Sequence, residues 1–120
     1  IAQARNLRFH RKMFALFGLA YDIWTPEELL YKGQIVGKSK DRFRKDLVIL
    51  AGYYTAAVNL KGEVRLEALS ISFANMSEQE FGDLYQSVLT IVWEKILCHA
   101  GYRSEAEVDA IVQELMGFST

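Results

Sequence analysis

Nine basic residues in two short runs are the strongest chemical signal in the chain: Arg5, Arg8, Arg11 and Lys12, then Lys38, Lys40, Arg42, Arg44 and Lys45. Guanidinium and ammonium groups grouped this densely can neutralise phosphates, release counterions and give sequence-independent affinity for nucleic acid. Residues 1–65 hold twelve of the fourteen Lys and Arg against six of the fifteen Asp and Glu, or +6. Residues 66–120 hold two against nine, or −7, so the net charge of −1 conceals a strong asymmetry. In the second run, Asp41 precedes Lys45 by four positions and Arg42 precedes Asp46 by four, a spacing that partly neutralises it on a helix. The first run meets no acid before Asp22. Tyr53 and Tyr54 are adjacent, so in a strand one of them faces outward, where its ring could stack on a base.

No other constellation carries chemistry. The two histidines, His10 and His99, form no acid–base pair, and there is no CxxC, HExxH, P-loop, GxGxxG or GxSxG spacing. The reading is therefore a non-enzymatic protein with no catalytic residue, metal or cofactor. Glu78, Glu80 and Asp83 crowd the start of a helix, where capping and the helix dipole account for them. Glu63 and Glu67 flank Arg65 as the polar face of a strand. His10 falls on the apolar arc of its helix near Met13 and Phe17 and reads as a half-buried core histidine. A single cysteine, Cys98, cannot form an internal disulfide, which fits a reducing cytoplasm.

The elements that must position these residues are well punctuated. The 120 residues, 51% hydrophobic with one proline, make one globular domain over 1–120. No apolar run reaches the roughly 18 residues that span a bilayer, so no membrane partner is expected. Because the chain opens on Ile1, a segment ahead of it is expected, and that segment could supply a further strand. A first helix is predicted from about Arg5 to Tyr21, with Phe9, Met13, Leu16, Phe17 and Ala20 on one arc and the basic run on the other side. Thr25, Pro26 and Glu28 predict a short second helix stopping near Gly33. Ser39 caps a helix carrying Phe43, Leu47 and Val48 to Gly52. Ser77 and Glu80 form a capping box, with Met76 and Phe81 as its staple, for a long helix ending at Gly101. Ser104 and Glu107 begin a last helix that ends before Gly117. Between them, 53–61 and 63–73 read as two strands joined at Lys61-Gly62, with a change of phase after Ala68 taken as a bulge or a doubly buried strand. The fold class is α+β: four to five helices packed on a small antiparallel sheet built around a β-hairpin at about 53–73.

Several runs resemble those of an uncharacterised bacteriophage and prophage protein family. They are Arg5-Asn6-Leu7-Arg8-Phe9-His10-Arg11-Lys12 into Phe14-Ala15-Leu16, Phe43-Arg44-Lys45-Asp46 into Ile49-Leu50-Ala51-Gly52-Tyr53, and Arg65-Leu66-Glu67-Ala68 with Ser70-Ile71-Ser72-Phe73-Ala74. Glu80-Phe81, Leu84-Tyr85 and Gly117-Phe118 extend the likeness over essentially the whole chain. It implies a phage context and no particular activity. Residues 5–12 alone are also similar to the lambda Orf (NinB) recombination mediators, which implies single-stranded DNA binding by analogy.

These observations together predict a phage-encoded nucleic-acid-binding accessory protein for replication or recombination, acting in the host cytoplasm with single-stranded DNA favoured. Arg5, Arg8, Arg11, Lys12, Arg42, Arg44 and Lys45 would meet phosphates, and Tyr53 or Tyr54 would stack. The alternative is a protein-binding module whose acidic half, with Glu105, Glu107, Asp109 and Glu114, captures a host factor. A homodimer drawn together by the two halves is a third possibility.

Overall fold

The long amphipathic arc at the amino end becomes the longest helix. In the computed structural model, which describes residues 2–118 (and, of residues 2–6, 74 and 118, the backbone alone), α1 runs Ala2–Ile23. Phe9, Met13, Leu16, Phe17 and Ala20 are all buried on one side of it, as the spacing predicts. Three further helices complete the core: α2 (Lys40–Leu50), α3 (Glu78–Lys95) and α4 (Glu105–Phe118). Phe43 and Leu47 of α2, Phe81, Leu84, Val88 and Val92 of α3, and Val108 and Val112 of α4 close around the α1 arc. Phe9 stacks on Phe81 with ring centroids 4.4 Å apart, tying α1 to α3. Among the described residues, no helix is long and apolar enough to cross a membrane.

The helix starts are built by their side chains. Ser39 Oγ accepts from the Arg42 N–H at 3.3 Å and starts α2. Ser77 Oγ accepts from the Glu80 N–H at 3.1 Å while Glu80 Oε1 accepts from the Ser77 N–H at 2.9 Å, a complete capping box on α3. The Ser77 backbone N–H first, and the Ser77 hydroxyl after it, hold the Glu80 carboxyl below its ordinary value of 4.5. A depressed folded value makes this contribution fully present above 4.5 and lost as pH falls through the lower folded value. Ser77→Ala is expected to cost about 1 kcal/mol at neutral pH. Glu80→Gln is expected to be less stable than the parent there, the gap closing on acidification. Urea titrations at both pH values check both effects.

At the other end of α3, a 3-10 turn at Leu97–Ala100 leads to Gly101, whose φ of 93° is the left-handed conformation of a helix stop. Ser104 Oγ accepts from the Glu107 N–H at 3.2 Å at the start of α4, and α4 continues through Gly117 instead of ending before it.

The fold is α+β, and the described residues form two separate two-stranded antiparallel sheets. The first, β1 (Leu29–Tyr31) with β2 (Gln34–Val36), replaces the short helix predicted over 25–33. Its cause lies in the turn: Lys32 (φ 52°) and Gly33 (φ 81°) both take positive φ, the pair required by a two-residue hairpin, and β-branched Ile35 and Val36 follow. The Thr25-Pro26 signal is left in the irregular segment between α1 and β1. The second sheet, β3 (Tyr54–Val58) with β4 (Val64–Ala68), lies where the alternation placed it. Asn59 shapes its loop, Oδ1 accepting from the N–H of Lys61 and of Glu63. The phase change after Ala68 is the end of β4, not a bulge: residues 69–72 are irregular and lead to a 3-10 turn at Phe73–Asn75, which seats Phe73 in the core. The side chains of residues 54–58 and 64–67 are exposed on both sheet faces, and the hairpin meets the helices where β4 approaches α2.

Candidate nucleic-acid interface

α1, α2 and the irregular segment after β4 meet along a groove of about 470 Å³. His10, Phe14 and Phe17 come from α1, Asp41, Arg44, Lys45 and Val48 from α2, and Ala68, Leu69, Ile71, Ser72 and Phe73 from the third wall. Aromatic rings order it: His10 stacks on Phe14 at 4.3 Å with 21° between planes, and Phe73 meets both edge-on at 6.1 Å. The Arg44 guanidinium lies over the Phe14 ring at 5.2 Å, a cation–π placement that leaves its charge at the groove mouth. A polar cationic rim over an aromatic floor is what a phosphate and an unstacked base require together.

One carboxylate governs the resting state of this rim. Asp41 Oδ1 lies 3.1 Å from Arg44 and Asp41 Oδ2 3.0 Å from Lys45. The hydrogen bond and charge of Lys45, with Arg44 behind them, hold the Asp41 carboxyl below its ordinary value. Arg42 is paired with Asp46 at 2.8 Å. The second basic run is thus self-neutralised in the way its spacing predicts, although these exposed pairs exchange readily for another anion.

The other basic residues divide by helix face. At about 100° per residue, Arg11 lies some 60° round from Phe14, Arg8 some 120° and Lys12 some 160°. Arg8 and Arg11 are exposed, and neither lines the groove. Lys12 turns away to α4: its Nζ lies 3.8 Å from Asp109 Oδ1 and 4.4 Å from the centre of the Tyr85 ring. The Arg5 side chain lies outside the described residues. Tyr53 is half-buried against the core and Tyr54 is 46% exposed on β3, so one ring does face outward, and neither lines the groove.

Lys38 has a local task. Its Nζ donates to the carbonyls of Tyr21 (2.6 Å) and Trp24 (3.0 Å) and lies over the Tyr21 ring, capping the carboxyl end of α1.

His10 departs from expectation most usefully. It is exposed at the groove instead of half-buried, because its position on α1 is one turn before Phe14 and beside the core arc, not within it. The i,i+4 pair His10–Phe14 was the available signal. The acidic half is mostly engaged internally: Asp109 accepts from the Tyr85 hydroxyl at 2.7 Å, Glu105 from Thr90 and from Gln86, and Glu107 from the Arg103 N–H. Burial first, then the Asp109 hydrogen bond, pushes the Tyr85 phenol well above its ordinary value. No group of three or more candidate ligands for a metal ion occurs among the described residues.

A family model described as a protein of unknown function, DUF1367, matches residues 31–118. The chain belongs to the DUF1367 family. No curated protein and no solved structure matches it. The DUF1367 span contains α2, β3–β4 and Phe73, hence two walls of the groove and both of its rim cations, while the α1 wall precedes it.

Proposed function

We propose that this DUF1367 protein is a phage-encoded, non-enzymatic nucleic-acid-binding accessory factor for replication or recombination, acting in the host cytoplasm on single-stranded DNA. The observation that carries the reading is the groove that joins Arg44, Lys45 and His10 to the rings of Phe14 and Phe73. Arg44 and Lys45 take a phosphate in place of Asp41, and the exposed Arg8 and Arg11 meet phosphates further along the strand. A base freed from stacking has a π-face that rests on the aromatic floor; a duplex keeps its bases stacked inside, so single strands gain more. The phage setting rests on the resemblance of residues 5–16, 43–53 and 65–74 to phage and prophage proteins.

Asp41 supplies a test with an unusual sign. Asp41→Asn removes the competitor that holds Arg44 and Lys45, and it is expected to raise affinity for a labelled oligothymidine by about threefold to tenfold at low salt. Fluorescence anisotropy measures it. A decrease, or no change, would count against the groove as the binding site. The capture of a host protein by the acidic half has less support, since Glu105, Glu107 and Asp109 are already hydrogen-bonded within the fold and Glu114 alone of the four is exposed without such a bond.

A further inference from the structure

Hairpin β3–β4 divides cleanly into an apolar face and a polar one. Its cross-strand register puts Tyr54, Ala56, Val58, Val64, Leu66 and Ala68 on one face and Thr55, Ala57, Arg65 and Glu67 on the other. Val58 is 73% exposed, Val64 69% and Leu66 42%. Two strands alone are marginal in water, and three or more are needed for a self-sustaining sheet. Nothing in the described residues supplies a third: each sheet has two strands.

The ladder also shows which backbone groups are unused. The Asn59 N–H donates to the Glu63 carbonyl and the Leu69 N–H to the Tyr53 carbonyl. Alternation from these ends makes Ala57–Arg65 and Thr55–Glu67 the hydrogen-bonded pairs. The peptide groups of Val64 and Leu66 therefore point away from β3, and among the described residues they bond to no third segment. This edge carries no proline and no bulge, the usual guards against pairing with another chain.

We infer that β4 pairs antiparallel with β4 of a second copy of this chain, about a two-fold axis at Leu66, to form a four-stranded sheet. Charge selects both partner and register. That axis sets Arg65 opposite Glu67 of the second copy, and Glu67 opposite its Arg65, in the non-hydrogen-bonded geometry where side chains approach most closely. An axis moved by one residue to Arg65 or Glu67 sets like charges against each other. Within the chain the ion pairs of the described residues use Lys12, Arg42, Arg44 and Lys45, so Arg65 and Glu67 are available for the pairing. The outer edge of β3 presents Thr55 and Ala57 at the equivalent places, with no charge to fix a register. α2 packs close to β4, whose Ala68 is half-buried, while the side chains of residues 64–67 are exposed. The paired strands join two apolar faces into one, with Leu66 beside Leu66 at the axis.

Sedimentation velocity on the whole chain over a concentration series tests this with three variants. The parent is expected to dimerise. Leu66→Pro removes the one N–H that points outward at the axis and none that bonds β3, so it is expected to be monomeric with an unchanged circular dichroism spectrum. Arg65→Glu is expected to weaken dimerisation by about tenfold, and Arg65→Glu with Glu67→Arg in the same chain to restore it to within about threefold. If Leu66→Pro unfolds, the charge swap decides alone. A parent that stays monomeric, a dimer that Leu66→Pro leaves intact, or a swap no better than the single reversal would each overturn the inference, as would a monomer whose β4 edge takes a strand of another protein.

Discussion

Replacing Arg44 and Lys45 together by glutamate is expected to lower affinity for single-stranded DNA by about 100-fold at low salt. Each substitution removes one phosphate contact and adds one repulsion at the same place. With Asp41 beside them, 3.0–3.1 Å from the present cations, the groove mouth would then hold three carboxylates and no cation on α2. The aromatic floor and the exposed Arg8 and Arg11 would remain, so any residual binding should show a salt slope roughly half that of the parent. By contrast, Lys12→Glu should change affinity by less than about threefold, because Lys12 faces Asp109 and Tyr85 on the far side of α1. The comparison separates a groove from a diffuse positive half, since both substitutions lie in the half that carries +6. Anisotropy titrations of the two variants, with circular dichroism as the folding control, provide the measurement.

Leu16→Ala is expected to lower stability by about 3 kcal/mol and the thermal midpoint by roughly 10 °C. Leu16 is fully buried on the arc of α1 that meets the other helices. Alanine suits a helix at least as well as leucine, so the cost is the lost apolar contact and the cavity left behind. The consequence reaches the groove, because α1 carries His10 and Phe14 beside that same arc. Binding at temperatures well below the lowered midpoint should be close to that of the parent. A differential scanning calorimetry trace and an anisotropy titration at about 10 °C check the two halves of this expectation.

The sequence made the helical core legible because its signals are local and redundant. Five apolar positions on α1 recur on one arc, and Ser39 and Ser77 cap the helices that follow them. The hairpin at 29–36 was missed because Pro26 and Glu28 satisfy a helix start, whereas the deciding feature is positive φ at both Lys32 and Gly33. Lysine rarely takes that conformation, so its type gave no warning. The apolar face of β3–β4 was legible as alternation, but alternation is silent on whether the face is buried or stands in solvent. In the candidate site, the pairing of Arg42, Arg44 and Lys45 with Asp41 and Asp46 follows from i,i+3 and i,i+4 spacing. The meeting of Arg44 with Phe14, and of Lys38 with the end of α1, joins residues far apart in the chain and depends on how α1 and α2 pack. Lys12 shows the same limit: it belongs to the basic run by sequence, and its partner Asp109 is on α4.

The most direct test of the proposed function is the salt dependence of single-stranded DNA binding by the parent chain. Labelled oligothymidine and a duplex of equal length would be titrated by anisotropy at ionic strengths from about 50 mM to about 200 mM. Phosphate contacts from Arg8, Arg11, Arg44 and Lys45 give an expected slope of log K against log salt of about −3 for the single strand, with the duplex bound more weakly. No binding at about 50 mM, or an affinity flat in salt, would contradict the account.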